Sequence, residues 1–96
     1  MSMVNTESML SAHFDAVRRQ VWGRMFGTFI RSAREKHGRS IEDTARLAGM
    51  EFSEWEAIEA GYVPSDMAVL RPMAEALEVG YEQLVGLAVF CRGAWE

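Results

Sequence analysis

The chain has 96 residues, of which 49% are hydrophobic and 25% are charged, and this composition predicts one globular domain with a packed core. No apolar run approaches the ~18 residues of a membrane helix, and the N-terminus lacks the segments of a signal peptide, so we expect a cytoplasmic protein. The single cysteine, Cys91, excludes an intrachain disulfide and is interpreted as a small core residue.

The net charge of -4 is unevenly distributed along the chain. Residues 1–39 contain seven Lys or Arg against three acidic residues, a net of +4, whereas residues 40–96 contain three against eleven, a net of -8. We therefore expect attraction to phosphate to come mainly from the first half.

Apolar residues recur at three- and four-residue steps, with no alternating run between hairpin turns, which predicts an all-α protein. A first helical region starts near Asn5 or Thr6 and ends at Gly38. Gly23 and Gly27 interrupt this region, and each glycine costs a helix interior about 0.5–1 kcal/mol relative to alanine. We therefore favour two helices with a break near Gly23 over one long helix.

Two short helices follow. Ser40 caps the first of them, which ends at Gly49. After a very short turn, the next helix buries Trp55 and Ile58 and ends at Gly61. Their spacing is typical of two packed helices joined by a tight turn.

Ser65 or Asp66 caps the next helix, in which Pro72 either causes a kink or lies close enough to the start to be tolerated. The inward face of this helix consists of four apolar residues: Val69, Leu70, Met73 and Leu77. The last segment, "YEQLVGLAVFCRGAWE", predicts a final helix that is apolar on more than one side.

These elements, with the segments "FIRSAREKHGRSIEDTARLAGM", "IEAG" and "LRPMAEALEVGYEQL", resemble the Cro and lambda-repressor type, or XRE, helix-turn-helix domains. The resemblance covers about residues 26–86. It implies an all-α, five-helix Cro/lambda-repressor-like domain with an additional N-terminal helix. The helix-turn-helix domain, with its apolar C-terminal helix, is assigned to residues 26–96, and a helical extension to residues 1–25.

The same resemblance gives roles to individual residues. Ala45 corresponds to the small residue where the two motif helices cross, and Ile58 to a residue that packs beneath them. The family also pairs an arginine near the end of its first helix with a glutamate late in its recognition helix. Those positions match Arg34 and Glu59, so we expect a structural ion pair between them.

The positions that match the family's DNA contacts hold unusual residues. The contact positions on the two motif helices are Ile41, Glu51, Phe52, Ser53, Glu54 and Ala57. The basic residues that flank the expected groove are Arg31, Lys36, Arg39 and Arg46. The recognition helix itself carries no Lys or Arg, although these residues supply most of the affinity for DNA.

Two hypotheses remain open. The family resemblance favours an XRE-like transcriptional regulator that binds double-stranded DNA. The reading positions are compatible with base contact, since glutamate accepts a hydrogen bond from cytosine and Phe52 is able to contact a thymine methyl group. The acidic residues instead favour a protein-interaction module that meets a basic protein partner and does not bind DNA directly. Phe52 and Tyr62 form either an exposed aromatic pair or part of the core.

Two apolar surfaces exceed the needs of the family's core and predict a homodimer. They comprise Leu10, Phe14, Val17, Val21, Phe90 and Trp95. Under either hypothesis, residues 1–25 are a candidate dimerisation element.

No catalytic or metal-binding pattern is recognised. His13, His37 and Cys91 lack the spacing of metal ligands, and the chain has no nucleophile motif or phosphate-binding loop. We therefore expect neither an enzyme nor a cofactor.

Overall fold

The computed structural model describes the backbone of residues 2–93 and the side-chain environments of Phe14 and of residues 16–92. Over these residues the all-α class is confirmed, because the chain forms helices and no β-strand. The five α-helices are α1 (Ser2–Lys36), α2 (Ile41–Leu47), α3 (Phe52–Glu59), α4 (Leu70–Leu77) and α5 (Tyr81–Gly93). One turn of 3-10 helix, Met67–Val69, leads directly into α4.

A single continuous helix, α1, occupies the region where two helices were predicted. The predicted break near Gly23 is wrong, and the helix begins at Ser2 rather than near Asn5 or Thr6. The additional N-terminal segment is therefore an extension of α1, and the predicted boundary between residues 25 and 26 lies inside this helix.

The two glycines of α1 face the C-terminal end of α3. A Cβ atom on Gly27 would lie 2.5 Å from the carbonyl oxygen of Glu59, and one on Gly23 would overlap the carbonyl oxygen of Gly61. Such distances are far inside van der Waals contact, so the backbones approach this closely only because both positions lack a side chain. The glycines thus permit helix packing and do not end the helix.

Caps fix the start of α2 and the turn that follows it. The Ser40 hydroxyl accepts a hydrogen bond of 3.0 Å from the N–H of Asp43, as the sequence predicts. Gly49 adopts a left-handed conformation with φ of 68°, and the N–H of Met50 donates to the carbonyl of Ala45 at 2.8 Å. This hydrogen bond is typical of a glycine-terminated helix and sends the chain directly into α3.

The start of α4 settles the alternatives for Pro72. The proline is the third residue of α4 and therefore lies in its first turn, where a missing N–H breaks no intrahelical hydrogen bond. Asp66 caps the preceding 3-10 turn, with its Oδ1 accepting from the N–H of Ala68 at 2.9 Å. The predicted inward face of this segment is confirmed, with Val69 half-buried and its other members fully buried.

The core lies where α1 and α3–α5 meet, and α2 covers one side of it. Its largest fully buried side chains are Phe26, Ile30, Thr44, Trp55, Ile58, Leu70, Met73, Leu77 and Leu84. Cys91 is also buried, and burial raises the pKa of its thiol, so it is a core residue as predicted.

The carboxylate of Glu59 joins α3 to α1 within this core. Arg34 holds it with two hydrogen bonds, from Nε to Oε2 at 2.6 Å and from Nη2 to Oε1 at 3.0 Å. The indole N–H of Trp55 donates to Oε2 at 2.7 Å. Arg34 also donates to the carbonyl of Arg39 at 2.8 Å, in the link to α2. The expected pair between Arg34 and Glu59 is therefore present and has further partners.

The protonation of Glu59 reflects two opposing effects. Burial raises the pKa of this carboxyl, but the hydrogen bonds from Arg34 and Trp55 and the positive charge of Arg34 lower it, and the net effect is a pKa below the ordinary value of 4.5. In turn, the hydrogen bond to Glu59 raises the pKa of Arg34. Both side chains are therefore charged at neutral pH.

Replacing Gly27 with alanine tests the close approach of α1 to α3. We expect Gly27→Ala to lower the free energy of unfolding by about 1–3 kcal/mol, because the added methyl group meets the backbone of residues 58–59. Gly86→Ala is the matched control, since no atom lies within 4 Å of a Cβ there, and it is expected to stabilise α5 by up to about 1 kcal/mol. Urea unfolding followed by circular dichroism measures both changes, and equal effects would contradict the packing role.

Replacing Glu59 with glutamine tests the buried ion pair. Near pH 7, Glu59→Gln is expected to lower the free energy of unfolding by about 3 kcal/mol, because Arg34 remains largely buried without its counter-charge.

The pH dependence of the same variant gives a second readout. Because the folded-state pKa of Glu59 is lowered, its contribution is complete above the ordinary value of 4.5 and is lost as the pH falls through the folded-state pKa. The difference between wild type and Glu59→Gln should therefore stay constant from about pH 7 to about pH 5 and shrink as the pH falls below 4.5 in urea unfolding. Glu56→Gln, at an exposed position of the same helix, is the control. A difference that stays constant with pH would rule out the charged pair.

Candidate nucleic-acid interface

The helices α2 and α3 are joined by residues 48–51 and pack against each other through small and apolar side chains. Ala45 on α2 is 2% exposed and Ile58 on α3 is 1% exposed, which agrees with the roles that the resemblance implied. Trp55 and Glu59 are buried on the same side of α3 as Ile58. The opposite side of α3 therefore faces outward in a fixed orientation.

The outward face of α3 presents most of the predicted contact positions together. The exposed residues at the start of α3 and along this face are Glu51, Phe52, Ser53, Glu54, Glu56 and Ala57. The face carries three carboxylates and no basic side chain. Its shape suits insertion into a groove, whereas its charge opposes the approach of phosphates.

Two of these carboxylates have a local structural role. Glu51 is the N-cap residue of α3, and it forms a capping box with Glu54, whose Oε1 accepts a hydrogen bond of 3.1 Å from the N–H of Glu51. Negative charge at a helix N-terminus is also favoured by the helix dipole. Sequence reasoning missed this role because glutamate is not among the preferred N-cap residues, although Glu54 three positions later was a usable signal. Glu56 has no such partner among the described residues.

Two of the four basic residues that were predicted to flank the DNA groove are held in other interactions. Arg39 donates to the carbonyl of Ala76 at 2.5 Å and to the Glu78 carboxylate at 3.1 Å, so it caps the end of α4. Arg46 forms ion pairs within α2, with Glu42 at 3.2 Å and with Asp43 at 3.1 Å. Both guanidinium groups are partly neutralised, so each offers less attraction to a phosphate than an unpaired arginine.

The other two flanking basic residues lie on α1. Arg31 is exposed beside α3 and donates a long hydrogen bond of 3.4 Å from Nε to Glu59 Oε1, so it is also partly paired. Lys36 is exposed near the end of α1, where it lines a shallow depression with Glu78 and Gln83. The four predicted basic residues therefore do not form one continuous positive band along α3.

Ile41, a predicted DNA-contact position, also contributes to packing. Ile41 is the first residue of α2, and its half-buried side chain packs against the hydrophobic core. An apolar side chain offers no hydrogen bond to a phosphate, so the packing role is the one observed, and contact of Ile41 with DNA stays a prediction.

Two exposed aromatic residues flank the outward face of α3. Phe52 is 48% exposed at its start, and Tyr62 is 57% exposed just after its end. The alternative in which both fold into the core is therefore wrong. Exposed aromatic side chains are enriched where proteins bind partners.

A second surface lies on α1, on the side away from the core. Phe14, Val17, Val21 and Met25 are 42–59% exposed. The buried core residue Phe26 lies about 140° around the helix from Val21, so α1 has two apolar faces. The side chains of Leu10 and Trp95, predicted for the same interface, lie outside the described residues.

The last helix adds exposed apolar surface near this stripe. Phe90 is 48% exposed and Val89 is 52% exposed. The Phe90 ring contacts the Trp22 ring of α1 edge to face, with the ring centroids 4.8 Å apart. The predicted interface residues Phe14, Val17, Val21 and Phe90 are therefore all exposed.

Other kinds of site find no support in the part of the chain that is described. Its His, Cys, Asp and Glu side chains form no group of three or more that is suited to a metal ion. Among its helices, none combines the length and the apolar character that crossing a membrane requires.

Comparison with known proteins identifies the motif. A family model described as a helix-turn-helix domain matches residues 25–85, more than half of the chain. The searches of curated proteins and of solved structures found no match to the chain. Domains of this kind are generally found in DNA-binding regulators and are typically non-enzymatic. With α2 and α3 joined by a tight glycine turn, the chain belongs to the helix-turn-helix domain family, of the Cro/XRE-like type.

Proposed function

We propose that this protein is an XRE-like transcriptional regulator that binds double-stranded DNA as a homodimer, with α3 in the major groove. The observation that carries the proposal is that α3 has one face locked to α1 through Glu59 and an opposite face that is exposed. Base reading requires such a fixed helix, because side chains must meet base edges at set positions. The proposed role is binding without catalysis, in the cytoplasm, where the proposed target lies.

The outward side chains favour particular base edges. Phe52 is suited to contact a thymine methyl group, and the Glu56 carboxylate is suited to accept a hydrogen bond from the amino group of cytosine. Ser53 both donates and accepts hydrogen bonds. Because α3 has no arginine or lysine, it lacks the bidentate contact that most often reads guanine.

Phosphate contacts must come from outside α3. Lys36 and Arg31 are the exposed flanking basic residues, although Arg31 also pairs with Glu59. Arg18, Arg19 and Arg24 add positive charge along α1. With few cations per subunit, we expect weak binding to a single half-site. Two subunits of a dimer on half-sites about 34–36 Å apart would double the number of phosphate contacts and so raise the affinity.

The dimer contact is assigned to the exposed stripe of α1 and to Phe90 of α5. The stripe residues are three or four positions apart, which is the spacing of a two-helix seam. Val17 and Val21 are exposed on this side, while the opposite face of α1 packs against α3 and α5. Residues 1–25 are accordingly proposed as a dimerisation extension.

A second candidate function follows from the charges. Arg39 and Arg46 are paired with acidic side chains, and α3 presents three carboxylates outward. These features favour a protein-interaction module that binds a basic protein and does not contact DNA. The two functions make different predictions for a lysine placed on the outward face of α3. DNA affinity should rise if α3 meets the duplex, and it should not rise if α3 binds only a basic protein.

The first prediction of the DNA-binding proposal concerns Glu56. With pooled random duplex DNA, we expect weak binding that falls steeply as the salt concentration rises. Glu56→Lys should raise the affinity and steepen the slope of log affinity against log salt by about one unit for each added phosphate contact. Fluorescence anisotropy at low and moderate salt measures both quantities.

The control is Glu82→Lys, which makes the same charge change at an exposed position of α5. The proposal expects a much smaller effect from this variant. If both variants bind DNA alike, α3 does not face the duplex. If the wild-type chain fails to bind even at low salt, the interaction module becomes the better account.

A separate prediction concerns the dimer. The variants Val17→Asp and Val21→Asp are expected to convert a dimer to a monomer, because each places a charge in the apolar seam. Gln20→Asp introduces the same charge at an exposed position of α1 next to the stripe and should leave the dimer intact. Sedimentation equilibrium at tens of micromolar distinguishes these states. A monomeric wild-type chain would contradict the assignment.

A further inference from the structure

A groove of about 540 Å³ opens beside α3, between this helix and the segment of residues 62–69. Its apolar lining includes the buried Ile58 and Pro64, the half-buried Val69 and the exposed ring of Tyr62. This volume lies in the range that holds side chains of a bound peptide or a small ligand. No residue that lines the groove is basic.

Two carboxylates border the groove, and each is fixed in place. Glu54 Oε1 accepts a hydrogen bond from the N–H of Glu51, and Asp66 Oδ1 accepts one from the N–H of Ala68. Neither carboxylate has a salt-bridge partner among the described residues. An apolar groove whose lining includes two fixed negative charges complements an apolar side chain with neighbouring cations. The exposed Tyr62 ring favours a stacked guanidinium group.

We propose that this groove binds a short basic segment of a partner protein, in which an apolar side chain enters the groove and flanking arginine or lysine residues meet Glu54 and Asp66. The sugar-phosphate backbone of a duplex is a poor occupant, because both carboxylates repel phosphate. A peptide with cations on both sides of its apolar residue gains from the same two charges.

Occupation of the groove has a regulatory consequence, which rests on the proposed function. Ser53, Glu54 and Ala57 line the groove and also belong to the outward face of α3. A peptide held there occupies the space that the major groove of DNA needs. Binding of the partner and binding of DNA therefore exclude each other, so the two ligands compete for the same face of α3.

The test uses a synthetic heptapeptide, acetylated and amidated, with the sequence Arg-Ala-Leu-Arg-Leu-Ala-Arg. Two control peptides replace either all arginines with glutamate or both leucines with serine. The full chain, labelled with ¹⁵N, is titrated with each peptide by NMR. The basic apolar peptide is expected to shift the amides of Ser53, Ala57 and Tyr62 in a saturable way, and both controls are expected to bind far more weakly.

Two conservative variants test the carboxylates without removing their caps. Glu54→Gln and Asp66→Asn keep an oxygen that accepts the backbone hydrogen bond, and each is expected to weaken peptide binding about twofold to fivefold, as the loss of an exposed ion pair does. Glu82→Gln, on α5, should leave it unchanged. Equal binding of the acidic and basic peptides, no saturable shift, or no effect of either variant would overturn the docking site.

Competition separates the docking site from the proposed function. The basic peptide is expected to displace a labelled duplex from the wild-type chain, and simultaneous binding of both ligands would overturn the mutual exclusion. If the peptide binds as described but the chain binds no DNA in the absence of peptide, the docking site stands and the proposed function fails. If the duplex alone shifts the groove amides and the peptide does not, the groove belongs to DNA and the inference is overturned.

Discussion

The buried carboxylate of Glu59 determines how the helix-turn-helix is oriented. An ionised carboxylate is costly to bury unless it is paired and hydrogen-bonded, and here Arg34 and Trp55 supply those partners at 2.6–3.0 Å. Because Arg34 belongs to α1 and Glu59 to α3, rotation of either helix would leave a buried charge unpaired. Arg34 also donates to the carbonyl of Arg39, which ties the start of the α2 region to the same point. One face of α3 is therefore committed to the core, and the face available for recognition follows from it.

The close approach of α1 to the end of α3 supports the same arrangement. Gly23 and Gly27 bring the α1 backbone against the carbonyl groups of residues 58–61, next to the Glu59 carboxylate. A side chain at either glycine would push the helices apart and lengthen the hydrogen bonds to Glu59. The ion pair and the two glycines thus depend on each other. In turn, α1 is held with one apolar face on the domain and the other exposed.

Two of the three carboxylates on the outward face of α3 are explained by the fold. Glu51 and Glu54 stabilise the start of the helix through a capping box, which leaves Glu56 as the carboxylate with no local structural role. The acids nevertheless reduce phosphate affinity, and both Arg39 and Arg46 are engaged elsewhere. These features are the reason why the DNA binding that we propose is weak and depends on a dimer.

Local signals in the sequence predicted the short helices well. Contacts between residues far apart in the sequence could not be predicted from such signals. Ser40 and Gly49 act within a few residues of their own positions, so their roles in capping and turning follow directly from the chain. The break predicted near Gly23 was wrong. The prediction considered the cost of glycine in a helix, but not the close helix packing that a residue without a side chain permits. Arg39 was predicted to contact phosphate. Its actual partner, the carbonyl of Ala76, lies 37 residues away along the chain, and no local pattern indicates that hydrogen bond. The Arg34–Glu59 pair was found only through the family resemblance, since a separation of 25 residues has no local signature.

The central claim is that the outward face of α3 is the surface that meets DNA. It is tested most directly by titrating the ¹⁵N-labelled chain with duplex DNA at low salt and mapping the amide shifts. The account predicts that the largest shifts fall on Phe52, Ser53, Glu56 and Ala57 and that they diminish as salt is added. Shifts confined to α1 and α5, or no shifts at any salt concentration, would contradict it.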